Sequence, residues 1–195
     1  NGMKVFIGTV TTGACLSVIS QTKADNMFQI TPSASAAKVI ANDNCFQVCF
    51  TDPNQGTASA DYIASKGLAT KVAVIYNSSD AYSSGIYDNF KAEAAAKGLD
   101  LVASEAFTGD SKQDFSSQLS KIKASGAELI FLPIYYQEAS LILSQAKNAG
   151  ITAKFFGCDG LDGLLNIENF DKSLAENVML LTPFAANATD ETTKK

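Results

Sequence analysis

Short apolar runs in this sequence are each followed by a small polar loop, and the loops differ in chemistry. After 5–7 come Thr11 and Thr12, and after 28–30 come Ser33 and Ser35. Hydroxyls beside the free N–H groups that open a helix suit a carboxylate, because a helix N-terminus carries partial positive charge. Later loops carry Tyr82, Tyr135 and Asp159. An acid flanked by tyrosines suits an ammonium, through charge-assisted hydrogen bonds and ring faces. Taken together the seven residues suit a zwitterion. Each also has an ordinary structural explanation. Thr11 and Thr12 would cap a helix. Ser33 and Ser35 would shape a turn after Pro32. Tyr82 and Tyr135 would pack half-buried, and Asp159 would form a turn beside Gly160. Their shared placement at the ends of expected strands is what favours a common role, since open parallel sheets bind ligands there.

Other chemistries find little support. The chain has no histidine, which removes Ser-His and Cys-His nucleophile pairs and the commonest metal ligand. Its 15 basic residues are all lysine, set against 20 acids for a net charge of −5. That balance argues against nucleic acid, which needs clustered cations, arginine above all. The Gly8 to Gly13 loop lacks the lysine of a phosphate loop and the glycine spacing of a dinucleotide fingerprint, so no cofactor is expected. Asp114, near Asp110, reads as a helix N-terminal acid in a solvated loop. Cys45 and Cys49 fall in one expected strand, on one face but about 13 Å apart. With Cys15 and Cys158 they are read as small buried residues.

The elements that must position these loops alternate. Expected strands at 5–7, 28–30, 46–50, 71–76, 101–102, 129–132, 155–156 and 178–181 are interleaved with helices near 14–24, 54–65, 83–97, 114–124 and 137–149. Glycines at 98, 126 and 150 stop three of those helices. Short apolar strands between helices of this length predict an α/β fold, a three-layer sandwich with a parallel sheet and helices on both faces. With 46% apolar and 18% charged residues the chain can bury a core. Asp52-Pro53 and Thr182-Pro183 each follow a strand directly and read as crossings between two lobes. Residues 1–52 are then part of a first lobe, 53–182 a second lobe, and 183–195 the second crossing and a polar tail.

Six stretches in register resemble the branched-chain amino acid (Leu/Ile/Val) binding proteins of ABC importers, which have the type I periplasmic binding fold. They are Ile7-Gly8-Thr9-Val10-Thr11-Thr12-Gly13, Ile30-Thr31-Pro32-Ser33-Ala34-Ser35, Asp52-Pro53-Asn54-Gln55-Gly56, Asp114-Phe115-Ser116, Tyr135-Tyr136-Gln137-Glu138 and Gly157-Cys158-Asp159-Gly160. The resemblance implies a flavodoxin-like second lobe, a partial first lobe and a hinged clamp without enzymatic activity. It implies a free amino acid as ligand and, for the intact protein, an extracytoplasmic location and a membrane permease as partner. On this pattern Thr12, Ser33 and Ser35 fall on carboxylate-holding positions, and Tyr82, Tyr135 and Asp159 on ammonium-holding ones. The family often has glutamate where this chain has Asp159. On this pattern the chain lacks the family's first strands and its final return into the first lobe, and a partial lobe exposes apolar faces and strand edges, so dimerisation is expected of it. A ligand-sensing domain of a receptor or regulator would use the same fold, and fold alone does not separate the two.

Overall fold

The computed structural model describes residues 2–183, 189 and 191; most of the tail expected at 183–195 lies outside the described residues. Along the chain run β1 (Val5–Ile7), α1 (Thr12–Ala24), β2 (Phe28–Thr31), β3 (Cys45–Gln47), α2 (Asp52–Ser65), β4 (Lys71–Asn77), α3 (Ala81–Ala96), β5 (Asp100–Phe107), α4 (Ser116–Ser125), β6 (Leu129–Leu132), α5 (Tyr136–Asn148), β7 (Lys154–Gly157) and β8 (Val178–Leu180). The strands form two wholly parallel sheets, ordered β1-β2-β3 and β5-β4-β6-β7-β8. Among the described residues, no helix is long and apolar enough to cross a membrane.

The second sheet explains the unbroken apolar run of β4. Side chains alternate across a strand, and here both faces are covered. Val72 and Val74, with Leu129 and Phe131 of β6, pack beneath α2 and α3 against Ile63, Ile86 and Phe90. Ala73 and Ile75, with Ile130 and Leu132, pack on the other side against Leu119, Ile122 and Ile142 of α4 and α5. This is the expected three-layer sandwich. A strand buried on both faces has no polar face to show.

Helix boundaries follow local chemistry. α2 starts at Asp52, two residues before the expected start, with Thr51 as its cap and Pro53 in the first turn, where a missing N–H costs nothing. α2 and α3 then cross at Gly56. A Cβ there would sit 2.5 Å from the Ile86 carbonyl oxygen and 2.7 Å from the Phe90 amide nitrogen. Only glycine lets the two backbones approach so closely. α4 begins at Ser116, and Asp114 caps the turn by accepting from the Ser116 N–H at 2.9 Å.

Two expectations change. β3 ends at Gln47 rather than continuing to 50, so Cys49 lies beyond the strand. Cys49 is half-buried, whereas Cys15, Cys45 and Cys158 are buried. The Val48 N–H still donates to the Thr31 carbonyl at 3.1 Å, and the chain then bends at Cys49 as it leaves the first sheet to begin α2. Between β7 and β8, short 3₁₀ turns at Asp159–Leu161, Leu164–Asn166 and Lys172–Ala175 replace what read as loop.

The first sheet is covered on one face. Cys15 and Thr22 of α1 lie over Gln29 and Cys45, and the Thr22 hydroxyl donates to Gln29 Oε1 at 2.6 Å. On the other face Val5 (55% exposed), Ile7 (76%), Phe28 (44%) and Phe46 (48%) stand in a row. Strand register aligns them, with Val5 opposite Phe28 and Ile30 opposite Phe46. The Phe28 and Phe46 rings stack at 5.3 Å.

Candidate functional site

The loops named from sequence leave the carboxyl ends of strands in both sheets and meet. One cavity of about 320 Å³ is lined by Thr11, Thr12, Ser33, Ser35, Tyr82, Tyr135 and Asp159, all seven of the expected residues. In the second sheet, β4 has β5 on one side and β6 on the other. The order in which strands are added therefore reverses between β4 and β6, which run parallel, and such switch points open a crevice at the sheet's carboxyl edge. Tyr82, in the first turn of α3 after β4, and Tyr135, after β6, flank this crevice. Asp159 follows β7, one strand further out.

On the first-sheet side, Thr11 caps α1 through its backbone only and makes no side-chain cap bond. Thr12 is 1% exposed, and its Oγ1 accepts from the Ser35 N–H at 3.2 Å and the Ala36 N–H at 3.3 Å. It therefore holds the serine loop in place as well as lining the cavity. Thr31 anchors the same loop from below, with Oγ1 accepting from the Ala34 N–H at 3.0 Å. Ser33 is half-buried and Ser35 buried.

On the second-sheet side, the Tyr82 hydroxyl donates to Asp159 Oδ1 at 2.7 Å and accepts from the Gly160 N–H at 2.9 Å. The Tyr82 ring stacks on Tyr135 at 4.8 Å, 17° from parallel. Tyr82 is only 2% exposed, so it is far more buried than a half-buried packing residue. Burial pushes its phenol well above the usual range, with Cys158 and Asp159 adding to the effect. Burial also raises Asp159, while the Tyr82 and Gln55 side chains and the Gly160 amide act to lower it. Gly160 is fixed by crowding, since a Cβ there would lie 2.7 Å from both the Ile134 carbonyl oxygen and the Tyr82 hydroxyl.

Four carboxyl groups gather here. Burial raises Asp52 to about 7, with Asp159 and Asp80 adding to it, although Ser35 opposes. Asp80 is also raised by burial, while it caps α3 by accepting from the Ser83 N–H at 3.2 Å. Glu138 is 9% exposed and meets Lys112 Nζ at 3.6 Å. All four act on the Tyr135 phenol, which burial and these charges push upward.

The cavity wall also includes Val10, Tyr136, Gly160, Asp162, Thr182 and Pro183, none of which was singled out as a site residue. Val10, Tyr136 and Gly160 adjoin residues that were, and Asp162 follows Asp159 by three positions. Thr182-Pro183 was marked as a crossing, and a hinge beside a cleft is the signal that would have found it. Among the described residues no group of His, Cys, Asp or Glu is arranged to hold a metal. A cavity with hydroxyls and backbone amides on one wall, and an acid bonded to a tyrosine on the other, can hold a small zwitterion at both ends.

All 195 residues match the profile of a family described as periplasmic binding protein. A Leu/Ile/Val-binding protein homologue of Brucella melitensis is 33% identical over 163 residues, 83% of this chain and 44% of that protein. A leucine-, isoleucine-, valine-, threonine- and alanine-binding protein of Pseudomonas aeruginosa is 27% identical over 83% of this chain and 43% of its own length. Among solved structures, a leucine-binding protein of Thermotoga maritima superposes with a TM-score of 0.84 at 25% identity, over 98% of this chain and 54% of that one. A branched-chain amino acid transporter substrate-binding protein of Streptococcus pneumoniae, in complex with isoleucine, gives 0.82 at 25% identity, over 95% and 52%. The chain thus spans about half the length of the relatives it matches. With its whole length inside the family profile, and its two parallel sheets matching solved members, this chain belongs to the periplasmic binding protein family.

Proposed function

We propose that the full-length protein captures a free amino acid between its two sheets, outside the cytoplasm, and presents it to the membrane permease of an ABC importer. The observation that carries this reading is a cavity lined from both sheets, with hydroxyl loops on one side and Asp159 on the other. Thr11, Thr12, Ser33 and Ser35 would take the carboxylate. Asp159 would take the ammonium, with Tyr82 and Tyr135 beside it. The relatives named above are described by leucine, isoleucine or valine, one of them also by threonine and alanine, which supports a free amino acid as ligand. No bond is made or broken in this reading, so the protein is not an enzyme. The first and second sheets would be two lobes, meeting near Asp52-Pro53 and Thr182-Pro183, and would close on the ligand by a hinge motion. Calorimetric titration of the full-length protein with the twenty amino acids tests this. Tight binding of one group supports it, and no binding by any of them overturns it.

The acid must be ionised to hold an ammonium, and this gives a pH dependence with a definite sign. Burial raises Asp159, so affinity is full above its titration range and falls as pH drops through it. The Tyr82 phenol opposes that rise. Tyr82→Phe is therefore expected to move the loss of affinity to higher pH. It also removes one charge-assisted bond, worth about 1.5–3 kcal/mol. Affinity measured from pH 4 to 9 checks this; an unmoved profile would mean the phenol does not tune the acid.

We also propose that the 195-residue chain by itself self-associates through the bare face of Val5, Ile7, Phe28 and Phe46. Contiguous apolar surface of this kind drives association. Sedimentation at micromolar concentration should show a dimer or larger species, and a clean monomer counts against it.

A further inference from the structure

Gln55 lies in the first turn of α2 and is fully buried, yet it does not line the cavity. Its Oε1 accepts from the Asp159 N–H at 3.3 Å. Its Nε2 is buried and has no hydrogen-bond partner. A buried amide with its acceptor engaged and its donor spare, next to a carboxylate, is costly unless that donor has work in another state. One turn later Ser59 lies 3.8 Å from Cys158 Sγ, so α2 touches the Asp159 turn at two successive residues. The same first turn reaches the other side of the site, because the Asp52 N–H donates to the Ser35 carbonyl at 2.9 Å. Gly56 then fixes the turn against the α3 backbone, leaving it no room to slide.

We propose that Gln55 is a positioning residue for Asp159, and that the first turn of α2 sets the distance between the carboxylate-holding and ammonium-holding halves of the site. The inference rests on the amino-acid reading above. Gln55 presents the Asp159 backbone with an acceptor and its carboxylate with a nearby donor, so the acid stays in place and ionised when the ligand's ammonium arrives. The amide's lowering effect on Asp159 agrees with this.

The test is calorimetry on the full-length protein carrying Gln55→Ala or Gln55→Glu. The ligands are leucine, or whichever amino acid binds the wild type most tightly, and its des-amino analogue, isocaproate for leucine. Gln55→Ala is expected to weaken the amino acid at least tenfold and leave the des-amino acid within about twofold. Gln55→Glu keeps the side chain's size but sets a second charge beside Asp159, so its loss of affinity on acidification should begin at higher pH than in wild type. Equal weakening of both ligands, or an unchanged amino-acid affinity, overturns the proposal, because a purely structural residue would not separate them. If Gln55→Ala does not fold, the Gln55→Glu profile decides, and an unshifted one overturns it. A wild type that binds no amino acid brings down the amino-acid reading and this inference together, whereas tight wild-type binding with an indifferent Gln55 brings down only the inference.

Discussion

Asp159→Ala is expected to weaken amino-acid binding by about 2–5 kcal/mol, the usual cost of breaking a buried charge pair from one side. That is a loss of about thirtyfold to a few thousandfold in Kd. The loss is large because, among the described residues, no other acid even half-buried lines the cavity to take over. Asp52 and Asp80 are acids but lie outside the cavity wall, and Asp80 already caps α3. Asp162 lines the cavity but is exposed, so an ion pair there is screened by water. Asp162→Ala is therefore the informative control, with an effect below about 1 kcal/mol. The Tyr82 hydroxyl loses its acceptor in Asp159→Ala but keeps the Gly160 N–H, so the turn should survive. Calorimetric titration with a bound amino acid decides the matter. Wild-type affinity in Asp159→Ala would show that the ammonium sits elsewhere.

The largest stability effect should come from Phe131→Ala, at about 3–5 kcal/mol. Phe131 is fully buried in the middle of β6, the central strand of the five-stranded sheet. Its ring stacks on Phe90 of α3 at 4.1 Å and lies 6.2 Å from Phe156 of β7. Truncation leaves a cavity between a strand and a helix whose backbone is already pinned at Gly56, so the walls cannot collapse to fill it. Against a total stability of about 5–15 kcal/mol this is a severe loss. It should lower the melting temperature by about 6–20 °C. Differential scanning calorimetry would measure it. A fall under about 1 kcal/mol would mean that α3 is not held as described.

The second sheet was legible because physics leaves little choice there. The run Val72-Ala73-Val74-Ile75-Tyr76 inside β4, apolar without alternation, suits a strand covered on both faces. The grouping of candidate residues around one cavity was legible for a related reason. Parallel sheets put their loops at one edge, so Thr12, Ser35, Tyr82, Tyr135 and Asp159 could be grouped before any contact was known. Asp52 and Gln55 were harder to see. Both are polar residues buried by tertiary packing, and periodicity marks only apolar burial. The α2–α3 crossing was hidden too, since Gly56 reads from sequence as a weak point in a helix rather than as a contact. The 3₁₀ turns after Asp159 carry too few residues for any period to register. The shortening of β3 had no local signal either, because Val48 to Phe50 are as strand-prone as the residues before them.

The gathering of Asp52, Asp80, Glu138 and Asp159 has a consequence for what the cleft turns away. Lys112 reaches one of the four, and together they still act on Tyr135. A ligand whose side chain carries a second carboxylate would meet this charge from inside a partly dehydrated space. Like charges placed together in such a site cost several kcal/mol. If the cleft holds an amino acid as proposed, discrimination against acidic solutes would need no steric gate and no contact shaped to the preferred ligand. It would come from Asp159 in the wall and from the acids behind it, present before anything has bound and strongest above about pH 7, where Asp52 is ionised.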